Sequence, residues 1–388
     1  MPLYEVYPTR YDTASIVDEV LPARGLTFSM PLNDHGECTF EATVEPGRSF
    51  WRPALALPFS GVVVTRDGVP VWSGMLTDER ASGPRTFSFT AREWGWFFEE
   101  KVPAAPRVWD DVNDHIIVRD LINDAQSVPG QDVQVQLGST LGAAVSSKVI
   151  ASWDKTTTGR ELRSVADAEG GPEWYFGITG TLDAPVRVLT LGDRLGHTES
   201  ETVLEYVEDT EPAPLALLLG GPFPGPPMLL PVRRAGGNVI AQARSRSLTE
   251  AATVLVATGA GEDAAQLKST ATATNLLGRG WPRMTAFSDY NDTSVKATLD
   301  RHAKADLAKR AGIATGYSLV TLDGDPDWTQ TPRGSTVRVV LDTDVYGADR
   351  PVGGPDGFDA RCLSVTVRVP DSGDAQVEWT VADTLEVQ

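Results

Sequence analysis

Cysteine, histidine and positive charge are all scarce in this chain. Two cysteines, Cys38 and Cys362, stand near opposite ends of the 388 residues, which excludes a disulfide scaffold and any Cys-x-x-Cys metal site. A bridge between them would require the fold to bring the termini together, and two buried free thiols are the expectation. Four histidines, His35, His115, His197 and His302, are widely spaced without a His-Glu-x-x-His pair, so no zinc centre is expected. Only 34 Lys and Arg stand against 53 Asp and Glu, a formal net charge of −19. Such a chain repels phosphate, which argues against sequence-independent nucleic-acid binding and against docking on anionic lipid. No long uninterrupted apolar run occurs either. The longest candidate, Pro212 to Val232, is broken by prolines and glycines and reads as a connector rather than a membrane helix. The start, Met1-Pro-Leu-Tyr-Glu-Val, lacks the basic and apolar regions of a secretory leader.

Catalytic signatures are also missing. Gly259-Ala-Gly261 has neither a third glycine nor the Lys-Ser/Thr of a phosphate loop, and reads as a turn. Asp323-Gly-Asp-Pro-Asp-Trp328 begins like a calcium loop, but Trp328 stands where the sharp turn needs glycine, and Gly334 stands where the bidentate Glu belongs. An acidic hairpin tip is the expectation there. The pairs Glu99-Glu100 and Asp110-Asp111 could serve glycoside hydrolysis only if both carboxyls flanked one bond. Adjacent residues point apart, so both pairs are read as solvated surface in connecting segments. No Gly-x-Ser-x-Gly elbow is present. No catalytic, cofactor-binding or metal-ligating residue is assigned, and the chain is read as a non-enzyme.

What the chain has is β patterning. Phe59 to Leu76 contains two β-rich runs joined at Asp67-Gly68, a pair suited to the positive φ angles of a type I′ hairpin turn. Leu26–Leu32, Cys38–Val44 and Arg85–Ala91 alternate with period two, and an aromatic cluster, Trp94, Trp96, Phe97 and Phe98, follows. An α+β stretch comes next. Its first helix is predicted over Asn113–Gln126, with Ile117, Leu121 and Ala125 on one face and Asn113 or Asp114 as cap. A second is predicted from a capping box at Thr158-Gly-Arg-Glu161. Strands are expected at Trp174–Ile178 and Val186–Leu191. Further on, Val239–Ser247 and Ala252–Thr258 read as paired strands. A helix over 293–311, capped by Asp292 or Thr293 and closed by Gly312, precedes four more strands. The fold class predicted is α+β, mainly β: two barrel-like antiparallel domains with an inserted α+β lobe. The boundaries are 1–103, 104–207, a Pro/Gly-rich connector at 208–235, and 236–388. β patterning at both ends suggests a diverged internal duplication. The 10 tryptophans are scattered along the chain, and core or interface burial explains them better than a sugar-stacking platform, for which Trp94-Gly-Trp96 is the candidate.

In their order, these elements resemble the tail hub proteins of long-tailed bacteriophages, the baseplate-hub-like minor tail proteins of actinobacterial phages. The hairpin Val62–Gly74, the helix from Ile117, the helix 158–169 running into Gly-Gly-Pro-Glu-Trp-Tyr-Phe176, and Ala257–Gly261 with the helix after it carry the resemblance. It covers nearly the whole chain. It implies a structural virion protein at the distal end of the tail, assembled in the host cytoplasm as a homotrimer whose two barrels per chain form a pseudo-sixfold ring. The implied partners are a distal tail protein or tube ring above, tip or fibre proteins below and a tape measure protein, with DNA passing through the channel without sequence-specific binding and no membrane insertion. The channel wall is then expected to be acidic or neutral, with the basic clusters Arg233-Arg234 and Arg244/Arg246 away from it. Larger hubs of this kind carry C-terminal enzymatic extensions, and none is expected after Gln388. The alternative is a receptor- or cell-wall-carbohydrate-binding tail protein.

Overall fold

A computed structural model describes residues 2–17, 19–43, 55–57, 60–138, 140–151, 156–199, 202–206, 237–248, 251–261, 266–291, 293–311, 314–341 and 357–383. Six strands come first: β1 (Tyr4–Arg10), β2 (Ala23–Pro31), β3 (Glu37–Thr43), β4 (Ser60–Arg66), β5 (Val69–Ala81) and β6 (Thr86–Glu93). They pair antiparallel in the order β1-β4-β5-β6-β3-β2. The β4–β5 hairpin turns at Asp67 and Gly68, whose φ angles of 52° and 79° are the left-handed conformation the dipeptide was read to supply. Alternation then sorts the side chains. Val62, Val64 and Trp72 are buried in one core with Phe28 and Phe40, while Arg66 and Val69 sit at the rim.

The lobe follows, with α1 (Trp94–Glu99), β7 (Arg107–Asn113), α2 (Asp114–Ser127), β8 (Val135–Leu137), β9 (Val145–Ile150), α3 (Thr158–Ala166), β10 (Glu173–Thr181) and β11 (Ala184–Gly192). The side chain of Asn113 caps α2 by accepting from the His115 amide at 3.1 Å, and Ile117, Leu121 and Ala125 are buried together. The second cap differs from expectation. Thr157, not Thr158, is the N-cap residue, accepting from the Arg160 amide. Glu161 turns inward to the Thr156 hydroxyl and the Lys148 ammonium, because a buried carboxylate needs a cation more than the helix end needs a second acceptor.

After β12 (Thr202–Tyr206) comes β13 (Val239–Ser247). The predicted connector 208–235, with Pro212–Val232 and Arg233-Arg234, lies outside the described residues, as do Asp292 and Gly312. A small unit then forms from β14 (Val254–Thr258), β15 (Lys268–Thr272), α4 (Thr274–Gly278), β16 (Thr285–Asp289) and α5 (Lys296–Arg310). Here the sequence reading needs correcting, for β13 does not pair with β14. Val254, Leu255 and Ala257 are all buried, so β14 is the central strand of its own sheet, flanked by β15 and β16 and covered by α5. Nor does Thr293 cap α5. It starts at Lys296 behind Val295, without a side-chain cap, while the Thr293 carbonyl accepts the Ala260 amide.

The chain closes with β17 (Ala314–Leu322), β18 (Thr336–Leu341), β19 (Phe358–Val369) and β20 (Gln376–Asp383). With β12 and β13 these make a second group in the order β12-β18-β19-β20-β17-β13. Numbering each group by its own strands gives 1-4-5-6-3-2 both times. The exception to the antiparallel rule is β12–β18, which is parallel where β1–β4 is antiparallel. The small unit is inserted between the second and third strands of the second group, where the first group has only the turn at 32–36.

The two groups share one sheet. Residues 364–369 of β19 pair with β2, while its residues 358–361 pair with β18, so one strand belongs to both groups. A single core follows the join and contains Phe28 and Trp72 from one side and Tyr317, Val367 and Trp379 from the other.

Candidate assembly interface

Three polar contacts, buried or half-buried, fix how the two strand groups and the lobe meet. Glu93, at the end of β6, is 1% exposed and lies 2.5 Å from Arg333 of the segment before β18. Glu93 also accepts the Gly36 amide at 2.7 Å, and Arg333 donates to the Pro31 carbonyl and stacks on Tyr175 of β10. Gly36 has to be glycine, because a Cβ there would come within 1.8 Å of the Ser29 carbonyl oxygen. Burial pushes the Glu93 carboxyl up, and Arg333 pulls it back down. Glu173 of β10 takes the Arg361 guanidinium from β19 and the Leu195 amide, while Asn33 exchanges two hydrogen bonds with the Trp174 backbone. Arg187 of β11 lies 3.5 Å over the Trp94 ring and donates to the carbonyls of Arg10, Tyr11 and Val133. Burial lowers it to about 9, because its partners are neutral carbonyls.

The turn read as an acidic hairpin tip is part of this join. Asp323 is buried, accepts from the Tyr4 hydroxyl at 2.7 Å, and pairs with Arg66, which also reaches Asp327. Trp328 is buried and donates to Tyr4. Desolvation and the nearby Asp323 charge push the Tyr4 hydroxyl up. Opposite these residues a groove of about 630 Å³ opens between the β4–β5 tip, β10 and the 327–333 segment, with Val71, Tyr175, Ile178 and Trp328 in its walls.

The other residues singled out from the sequence do not converge. His35 sits beside Asp34, His115 is buried 3.3 Å from Asp193, and His197 lies near Ser335. His302 is buried and stacked on Tyr290 with 4.2 Å between centroids. Cys38 and Cys362 are free and buried. Among the described residues no group of three or more His, Cys, Asp or Glu is placed to hold a metal. Glu99 is not in a connector: it ends α1 and pairs with Arg163, while Glu100 is exposed. Asp110 and Asp111 belong to β7, where Asp111 has φ 53° at a bulge and Asp110 accepts from Ser147. Trp94 is buried and donates to Ser73, so the Trp94-Gly-Trp96 segment offers one half-buried ring instead of a stacking platform. Gly259 makes a close approach, since a Cβ there would lie 2.7 Å from the Thr293 carbonyl oxygen.

Among the described strands β13 stands at the end of the sheet order, paired with β17, and Ala241, Ala243 and Ser245 are exposed along it. On β5, β4 reaches only to Met75; beyond it Asp78 to Ala81 are exposed, with β6 on one side and no described strand on the other. Pairing was invisible to the sequence reading here because an edge has the same alternation as an interior strand.

No family model matches the chain, and no curated protein sequence does. Solved structures do. A tail protein from Neisseria meningitidis superposes with a TM-score of 0.60 at 12% identity, covering 99% of this chain and 97% of that one. A 43 kDa tail protein of prophage MuSo2 from Shewanella oneidensis gives 0.56 at 11%, covering 98% of each chain. A prophage tail protein from Listeria monocytogenes gives 0.54 at 11%, over 98% of this chain and 94% of that one. At these identities the likeness is one of fold, and it extends from end to end: the chain has the fold of these tail proteins.

Proposed function

We propose that this chain is the structural hub subunit of a phage tail, three copies forming a ring at the distal end. The ring would join the tube or a distal tail protein above to tip or fibre proteins below. It would enclose the path of DNA and the tape measure protein, with a geometric rather than a catalytic role. The observation that carries this reading is the repeated strand order within one chain. A ring of three such chains presents six similar barrels, so a threefold assembly can abut a sixfold tube. The end-to-end likeness to prophage tail proteins supports the same reading. The charge of −19 per chain fits a wall past which phosphate slides without adhering. Antibody labelling of phage tails, read by electron microscopy, tests the position. Label at the distal tip is expected, and label along the shaft, or on no part of the virion, overturns the reading.

A further inference from the structure

We propose that the groove between β10, the β4–β5 tip and the 327–333 segment receives an extended, uncharged stretch of a different tail protein. That stretch pairs as a strand with the outer edge of β10. This deepens the hub reading and rests on it only for the origin of the partner.

The backbone supplies half of the argument. β10 runs against β11 in unbroken register from Glu173 to Thr181. At its start the Trp174 amide donates to the Asn33 side chain at 2.8 Å, and the Trp174 carbonyl accepts the Asn33 amide. Both groups therefore point away from β11. Strand geometry repeats that direction at every second residue, so the amides and carbonyls of Phe176 and Ile178 point the same way. Asn33 takes this edge at Trp174, and among the described residues no strand pairs with it further along. Tyr175, Gly177 and Ile178 all line the groove. Successive residues of a strand face opposite ways, so a cavity touching 177 and 178 together runs along the edge of β10 and not over one face. An extended segment is the shape that answers donors and acceptors spaced two residues apart, by strand addition.

Charge supplies the other half. Four charged side chains reach the groove walls, and each is already answered within the chain: Arg66 by Asp323 and Asp327, Arg333 by Glu93, and Asp67 by the Leu3 amide. A charged side chain entering the groove would lose water and meet no free opposite charge among the described residues. The β5 wall is apolar, with Val69, Pro70 and Val71, while Thr329, Gln330 and Thr331 offer hydroxyl and amide groups opposite. Such walls select a segment that alternates apolar with small uncharged residues.

Fluorescence anisotropy on the purified full chain tests it, with labelled, end-capped hexapeptides as probes. Thr-Val-Thr-Val-Thr-Val is expected to bind, and the Lys-Val and Glu-Val repeats of the same length to bind at least about tenfold more weakly. Methylating alternate amides of the neutral peptide gives two forms, one for each edge of the bound strand. One form should lose binding and the other keep it, which adhesion to an apolar surface would not produce. On the chain, I178P removes one outward amide while leaving the ladder to β11 intact. It should bind the neutral peptide at least about fivefold more weakly than I178A, which keeps that amide. A thermal melt checks that both variants fold; should I178P not fold, the two methylated peptides on the wild-type chain decide. Equal binding of both methylated forms, equal binding of charged and neutral repeats, or no binding of any peptide overturns the proposal. So does a loss of self-association in I178P without peptide binding, which would give the groove to a second copy. Tail label absent from the tip would instead overturn the hub reading and leave peptide binding in the groove standing.

Discussion

Arginine closes the seam between the two strand groups and also the seam between the small unit and the lobe, and each arginine meets a buried carboxylate, but the packing around the two pairs differs. Arg333 sits among β6, β18 and β10, next to a shared sheet and a shared core, and its carboxylate partner Glu93 is nearly inaccessible. Arg301 of α5 reaches across to the lobe, donating to the carbonyls of Glu169 and Val145, to the Ser146 hydroxyl and to Asp114 at 2.8 Å. Lys304 faces Glu169 and Lys309 faces Asp167 alongside it, both pairs exposed. The small unit keeps its own core, with no lobe residue in it. Residues 252–311 hold eight Lys and Arg against six Asp and Glu, unlike the acidic chain around them. A seam of continuous sheet and apolar side chains moves as one body, whereas a seam of polar contacts, one buried ion pair flanked by exposed ones, lets its two sides separate.

Breaking the first seam should have the largest effect. Arg333→Ala leaves Glu93 as an uncompensated buried charge and should cost about 3–5 kcal/mol. Denaturant unfolding should show both strand groups losing stability in one transition; two separated transitions would mean that the groups fold independently. A smaller perturbation in one group sharpens the same point. Gly68→Val forces a β-branched residue into positive φ and should cost about 1 kcal/mol or more. Hydrogen exchange should then quicken in β17–β20 as well as in the hairpin. An effect confined to β4 and β5 would refute the shared core.

Arg301→Gln addresses the other seam. It should leave the global melting midpoint within the scatter of wild type while raising hydrogen exchange and protease cleavage in residues 252–311. Undocking exposes Asp114 to water, which avoids the penalty of keeping it charged and unpaired. A loss of several degrees across the whole protein would show that this seam too is part of one cooperative unit. The least disruptive probe is chemical. Burial pushes the Cys362 thiol up to about 12 and raises Cys38 as well, so neither should react with a thiol reagent in the native state. Both should become reactive together at the main transition. Early reaction of Cys362 alone would place an opening on the β19 side of the seam.

Local features of this fold were legible in the sequence because each is decided by a few neighbouring residues. Asp67-Gly68 makes the turn it spells, Asn113 caps α2, and Ile117, Leu121 and Ala125 face inward as their spacing requires. Partners far apart in the chain were not. Asp323 read as part of an acidic hairpin tip, and nothing near it in sequence pointed to Arg66, 257 residues away, as its partner. Glu161 read as half of a capping box, and only the placement of Lys148 shows why it turns inward. The β13–β14 pairing was inferred from adjacency. The presence of apolar residues on both faces of β14 was the signal for a central strand with two partners. The join of β19 with β2 had no motif to find, since an edge strand and an interior one carry the same period.

The pairing of β19 with β2 also has a mechanical side. The ladder runs through successive residues from Ser364 opposite Pro31 to Val369 opposite Leu26. A pull along the strand direction therefore loads these pairs together in shear, while a pull across it would unzip them one at a time. The resistance of such a join to rupture depends on a barrier, and so on the direction of loading as well as on the free energy stored in its contacts. If the strands lie along the line of tension in the assembled particle, the chain carries load through its backbone from one barrel to the next. The loops that decorate the barrels would then be free to vary without weakening it.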